Sequence, residues 1–97
     1  MMYLFAEVVF YSGMRQHLPA DGYRPDAVFE GEADYWGITF AQLPAARAFD
    51  MPMPAAVRFS FDERHYSEVA PGQGFFVMEG ARRVGEGKVI SIEDGEP

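Results

Sequence analysis

The sequence predicts an all-β protein, a closed six-stranded antiparallel β-barrel with Greek-key-like connections. Three observations carry that expectation. Apolar residues recur at every second position in short segments, glycine and proline punctuate the chain between them, and 97 residues are too few for a second covering layer. A chain of this length hides roughly 60–65% of its unfolded surface. Closing one sheet on itself is then the direct way to remove its exposed edges.

Residues 3–11 place Leu4, Ala6, Val8 and Phe10 on one face and Tyr3, Phe5, Glu7, Val9 and Tyr11 on the other, the two-residue period of a strand. Gly13, Pro19, Gly22 and Pro25 then set turns or remove backbone donors, so residues 12–25 form a long loop. Pro25 fixes the approach to a second strand over 26–31, and the stretch from Gly31 to Asp34 turns the chain into a third over 35–40. The segment 41–54 holds three prolines with Leu43, Phe49, Met51 and Met53 among them, which makes it a crossover capping one barrel end, with room for one helical turn over 45–49.

Residues 56–62 alternate most cleanly: Val57, Phe59 and Phe61 are expected inward, Arg58, Ser60 and Asp62 outward. Strands over 73–79 and 84–93 close the barrel as a hairpin. Gly80 supplies the positive φ of its turn, and Gly85 and Gly87 permit a bulge or sharp coiling. The whole chain is one domain.

Composition narrows the function classes. The chain has no cysteine, which removes disulfides, thiolate nucleophiles and cysteine-ligated zinc. No apolar run approaches the roughly 18–20 residues that cross a bilayer, and the opening Met1-Met2-Tyr3-Leu4 lacks a basic segment followed by a long apolar one, so a soluble, cytoplasmic protein is expected, with no membrane partner. The net charge of -7 repels phosphates and disfavours nucleic acid unless the basic residues cluster.

Candidate chemistry is sparse. Gly85-Glu86-Gly87-Lys88 fails as a nucleotide-binding loop, because Arg82 stands in place of the first glycine, Val89 in place of the magnesium-binding hydroxyl, and a strand follows instead of a helix. His17 and His65 lack partners at metal-site spacing; Asp62, Glu63 and Glu68 lie near His65 in what reads as a polar, solvated loop. Ser12, Ser60, Ser67 and Ser91 sit in no nucleophile elbow. The acidic run Asp21, Asp26, Glu30, Glu32 and Asp34 reads as a solvated face or a patch for a basic partner. Tyr23, Tyr35, Trp36 and Phe75 read first as core or barrel-end packing and second as an exposed hot spot. No catalytic residue, metal or cofactor follows from these patterns.

Two motifs add a resemblance. Gly22-Tyr23-Arg24-Pro25 and the run from Glu79 through Gly80, Ala81, Arg82, Arg83, Val84, Gly85, Glu86 and Gly87 resemble the landmarks of the third, C-terminal domain of translation elongation factor Tu, over residues 3–92. In that family the first motif opens the second strand of a small β-barrel and the second leads into the closing strand. The resemblance implies a domain that performs no chemistry itself but touches the T-stem backbone of aminoacyl-tRNA and contributes to the surface used by the nucleotide-exchange partner.

The resemblance carries over residue by residue. Glu79 and Gly80 match a T-stem contact, Arg82 the hairpin arginine, and Arg15 the arginine of the family's Arg-His-Thr-Pro loop, so these four are the binding residues that the resemblance implies. Gly22, Tyr23, Arg24, Pro25, Gly85 and Gly87 match positions that define the fold. The departures are Asp21 and Asp26, standing where the family has lysine and glutamine, and Met51-Pro52-Met53-Pro54 in place of a Met-Pro-Gly-Asp turn. A carboxylate at a phosphate contact removes counterion release and adds repulsion of about 1 kcal/mol.

The leading expectation is therefore a non-enzymatic, stand-alone interaction barrel that binds another protein or its own copy. An alternative keeps a translation-linked role, with Arg15, Arg82, Arg83 and Lys88 forming a basic strip for tRNA or an elongation-factor partner. A further alternative is small-ligand binding at the barrel mouth, with no nucleotide expected.

Overall fold

A computed structural model describes residues Met1–Pro97. Six antiparallel strands close into a barrel: β1 (Met2–Phe10), β2 (Asp26–Phe29), β3 (Trp36–Gln42), β4 (Met53–Phe59), β5 (Gly74–Glu79) and β6 (Arg82–Asp94), in the spatial order β1-β4-β3-β2-β5-β6. The meander β2-β3-β4 is flanked by β1, which lies beside β4, and this is Greek-key connectivity. β1 is paired on both sides, with β4 and with β6, so it closes the cylinder.

Alternation decides what fills the interior. Leu4, Ala6, Val8 and Phe10 of β1 are fully buried, as are Ile38 and Phe40 of β3 and Val57 of β4; the intervening residues of β1 and β3 are more exposed, whereas in β4 Ala55, Ala56 and Val57 are buried in succession beside the register shift of β3. Phe10, Phe29 and Phe40 are the largest of the fully buried side chains. Phe29 meets Trp36, Phe59 and Phe75 with ring centroids 4.9–5.6 Å apart, and Phe10 meets Phe40 at 5.5 Å. These aromatics occupy the space a ligand would need, so the lumen is a packed core.

Several expectations shift at their boundaries, for a physical reason in each case. The second strand stops at Phe29, because Glu32 N donates to Phe29 O at 2.9 Å and turns the chain before Gly31 can extend the ladder. The fourth runs Met53–Phe59, starting three residues earlier than expected: Pro54 lies opposite Glu7 of β1 but before the pairing with β3 begins at Ala56, a strand end that is paired on one side only. It also ends earlier. Ser60 N closes on Gly37 O at 2.9 Å, Asp62 caps a 3-10 helix η1 (Glu63–Glu68), and Phe61 falls outside the ladder at 83% exposure, so the inward assignment of Phe61 is corrected.

The helical content lies in η1, while residues 45–49 form bends and a turn without a helix. The crossover does cap a barrel end through Leu43, Met53 and Phe49, but Met51 points into solvent.

The hairpin glycines have steric reasons. Gly80 adopts φ 61 in the two-residue turn between Glu79 and Arg82. A Cβ at Gly85 would stand 2.6 Å from the Val9 carbonyl oxygen, and one at Gly87 would stand 2.2 Å from Phe75 Cζ. β5 and β6 shift register between Val77 and Met78, which leaves Val84 and Gly85 both buried.

Candidate functional site

The four residues carried over by resemblance come together at one barrel end. Gly13 lets the loop after β1 reverse, with φ 83, and Pro19 buries itself behind it. Arg15 then reaches the end of β5. Its guanidinium forms an ion pair with Glu79, donates from Nε to the His17 carbonyl at 3.0 Å, and lies 4.6 Å from the centre of the Tyr23 ring. Tyr23 donates its hydroxyl to the same Glu79 Oε2 at 2.5 Å. Arg82, just past Gly80, donates to the Met14 carbonyl at 2.5 Å. The loop and the hairpin are thereby tied together around a shallow cleft of 660 Å³, bordered by Arg15, Gln16, His17, Glu79 and Arg82.

Electrostatics there favours a settled cluster. Glu79 takes a cation and a phenol at once, so its charge is matched, and the Tyr23 hydroxyl is held well above its usual range first by burial and then by its hydrogen bond to Glu79. Tyr11, at the same end of β1, is pushed up to about 12 by burial and by its bond to Glu86 at 2.8 Å. Neither phenol is primed to give up a proton. Of the fold-defining motif, Gly22 donates to Phe40 O at 2.8 Å with φ 90, Tyr23 bridges to Phe40, and the Pro25 carbonyl accepts from Ile38 N at 3.0 Å. Arg24 is left facing outward.

The four basic residues do not form one strip. Arg15 and Arg82 sit at the cleft, whereas Arg83 points along the outer wall with its guanidinium 3.5 Å from the Phe76 ring centre. Lys88 lies five residues further along β6, about 17 Å at strand rise, and opposite Glu7. Asp21, which replaces a family cation, accepts from Leu43 N at 2.9 Å and so has a structural partner.

The histidine loop is organised differently from the sequence expectation. Asp62 is held down to about 2, chiefly by the side chain of Arg64 and then by its backbone, and His65 Nδ1 lies 3.1 Å from Glu68. No three histidine or carboxylate side chains converge there or elsewhere. Trp36 and Phe75 are core residues, Tyr23 is half-buried and Tyr35 is exposed, so the hot spot imagined from these four does not assemble.

An apolar wall that the sequence reading passed over runs across β6, β1 and β4. Phe5 is 40% exposed and Ile90 47%, and Pro54 and Tyr3 lie beside them. Two adjoining grooves of 480 and 220 Å³ meet at Phe5 and Pro54. The signal was available: Tyr3, Phe5 and Val9 are apolar on the outward phase of β1, and the register shift between Phe5 and Ala6 turns Ile90 outward with them. A scan against protein-family models finds none that matches this chain, and a search of curated proteins finds no match either.

Proposed function

We propose that this chain is a non-enzymatic, protein-binding β-barrel whose partner docks on the wall formed by Phe5, Tyr3, Pro54 and Ile90. The contiguous outward apolar surface across β6, β1 and β4 carries this reading. Aromatic and aliphatic side chains at the centre of such a wall supply most of an interface's energy when desolvated. Glu7 at its edge and a net charge of -7 favour a partner presenting a basic rim. Affinity capture comparing the wild type with Phe5→Glu and Ile90→Glu tests it, with light scattering to detect self-association. A partner or dimer retained by the wild type and lost by both variants, at unchanged melting temperature, is the expected result. Capture or dimerisation indifferent to both charges removes the reading.

A second reading rests on the convergence of Arg15, Glu79, Gly80 and Arg82 around one cleft, which supports the likeness to the elongation factor Tu domain and with it a translation-linked partner or tRNA. Filter binding to aminoacyl-tRNA at low and high salt separates the two. Salt-sensitive retention lost in Arg82→Glu favours this second reading, and no retention at low salt ends it. Cytoplasmic residence belongs with both proposals.

A further inference from the structure

We propose that Arg24, Thr39 and Arg58, with Phe61 beside them, form a binding site for a phosphomonoester carried on an aromatic ring. The site lies on the outer wall of β3 and β4, apart from the loop–hairpin cleft, and it follows from register. The Tyr23–Phe40 bridge and the Asp26–Gly37 pair share one antiparallel register, which sets Arg24 opposite Thr39. Thr39 in turn pairs with Arg58 of β4. Two guanidinium groups therefore flank one hydroxyl in a single cross-strand row, with neighbouring strands about 4.8 Å apart.

Neither arginine is neutralised. The ion pairs of the molecule join the Met1 amine to Asp94, Arg15 to Glu79, Arg64 to Asp62 and His65 to Glu68. Arg58 has one side-chain hydrogen bond, to the Met1 sulfur at 3.9 Å, and Arg24 faces the Phe61 ring with 5.9 Å to its centre. Six of the eight lysine and arginine side chains lack an ion pair, so what sets Arg24 and Arg58 apart is their place on either side of Thr39 in one cross-strand row. Thr39 Oγ1 and Ser60 Oγ lie 2.8 Å apart, so one of the two hydroxyls can turn its proton outward between the guanidiniums. The cleft they border holds 410 Å³, and Glu63 is the one carboxylate on it.

A tetrahedral dianion accepts donors from both sides of the row and from the hydroxyl at its centre, a geometry suited to guanidinium forks. Phe61 supplies the second half of recognition. Its ring rests over Gly37, where a Cβ would stand 2.6 Å from Phe61 Cε2, and it is otherwise open to solvent. A flat group attached to the phosphate can stack on it. Charges more than about 8 Å away are largely screened at physiological salt, so the acidic total does not cancel a local pair of arginines.

The test is an NMR titration of the intact chain with inorganic phosphate, phenyl phosphate and a short phosphotyrosine peptide. Saturable shifts at Arg24, Thr39 and Ser60 are expected, stronger at pH 7 than at pH 5 because the second phosphate ionisation lies near about 6. Arg24→Gln and Arg58→Gln should each weaken binding about tenfold. Phe61→Ala should weaken phenyl phosphate while leaving inorganic phosphate unchanged, and Glu63→Gln should tighten both. A peptide that binds more tightly than phenyl phosphate assigns the ring to a protein side chain; equal affinity assigns it to a small aryl ester. Shifts that do not saturate, or that spread equally to Arg15, Arg82 and Lys88, overturn the site, as does Glu63→Gln without gain.

Discussion

His65 lies flat on Trp36, with ring centroids 3.8 Å apart and planes inclined by only 13°. Trp36 opens β3 and is 8% exposed, and His65 belongs to η1 between β4 and β5, so the stack fastens the short helix onto the barrel. Phe59 meets the same imidazole edge-on at 5.3 Å. Three residues from three elements thus share one contact, and the only tryptophan of the chain reports on it.

His65→Ala should uncover one face of Trp36. The expected outcome is a red-shifted and altered tryptophan emission, with a stability loss of about 1 kcal/mol for the lost ring pair. Emission identical to the wild type would show that the imidazole does not cover the indole in solution.

Phe59 and Phe61 should behave oppositely, although they look equivalent in sequence. Phe59 packs against Phe29, Trp36, Tyr66 and His65, so Phe59→Ala should cost about 3–5 kcal/mol, a large part of a small domain's stability. Phe61→Ala should change stability by no more than about 0.5 kcal/mol, because the ring is 83% exposed and rests on the surface over Gly37. Urea denaturation of the two variants checks both, and a large loss in Phe61→Ala would place that ring in the core after all.

That contrast marks how far the sequence could be read. Period-two patterning identified the inner faces of β1 and β4 because burial on one face of a sheet enforces it, and Gly80 announced the closing turn because φ 61 favours glycine. Pattern could not locate where β4 ends. The stop depends on the Ser60–Gly37 hydrogen bond, made with a distant segment, and on Asp62 capping η1, a local role that the alternation masks because Asp62 also fits its outward phase. The site was legible in the same uneven way: Arg15, Glu79 and Arg82 were named and do converge, whereas Phe5 was seen only as an outward residue and Ile90 was given no face, since their adjacency needs the pairing of β1 with β6.

Gly85 and Gly87 should differ in how their replacements fail. At Gly87 the obstacle is the Phe75 ring, so Gly87→Ala should cost about 1–3 kcal/mol and be partly rescued by Phe75→Leu. At Gly85 the obstacle is the Val9 carbonyl oxygen, which cannot move without opening the β1–β6 ladder. Gly85→Ala should be the more damaging, with no single side-chain substitution that relieves it. Equal melting temperatures for the two variants would contradict this.

The Tyr23–Glu79 bond should give the molecule an alkaline weakness. Burial and the Glu79 carboxylate raise the folded-state pKa of Tyr23 above the usual value near 10, so the folded protein keeps the phenolic proton at a pH where the unfolded chain releases it. The associated stability is fully present below pH ~10 and declines as pH rises beyond it. Tyr23→Phe removes the titrating group, so its melting temperature should be lower than the wild type's at pH 8 for want of the hydrogen bond, and should fall less steeply between pH 9.5 and 11.5. Glu79→Gln should also be less stable at pH 8, by about 1–3 kcal/mol, because the half-buried Arg15 loses its countercharge. Parallel melting curves for the wild type and Tyr23→Phe across that alkaline range would mean the phenol is ordinary, and that Glu79 is held by Arg15 alone.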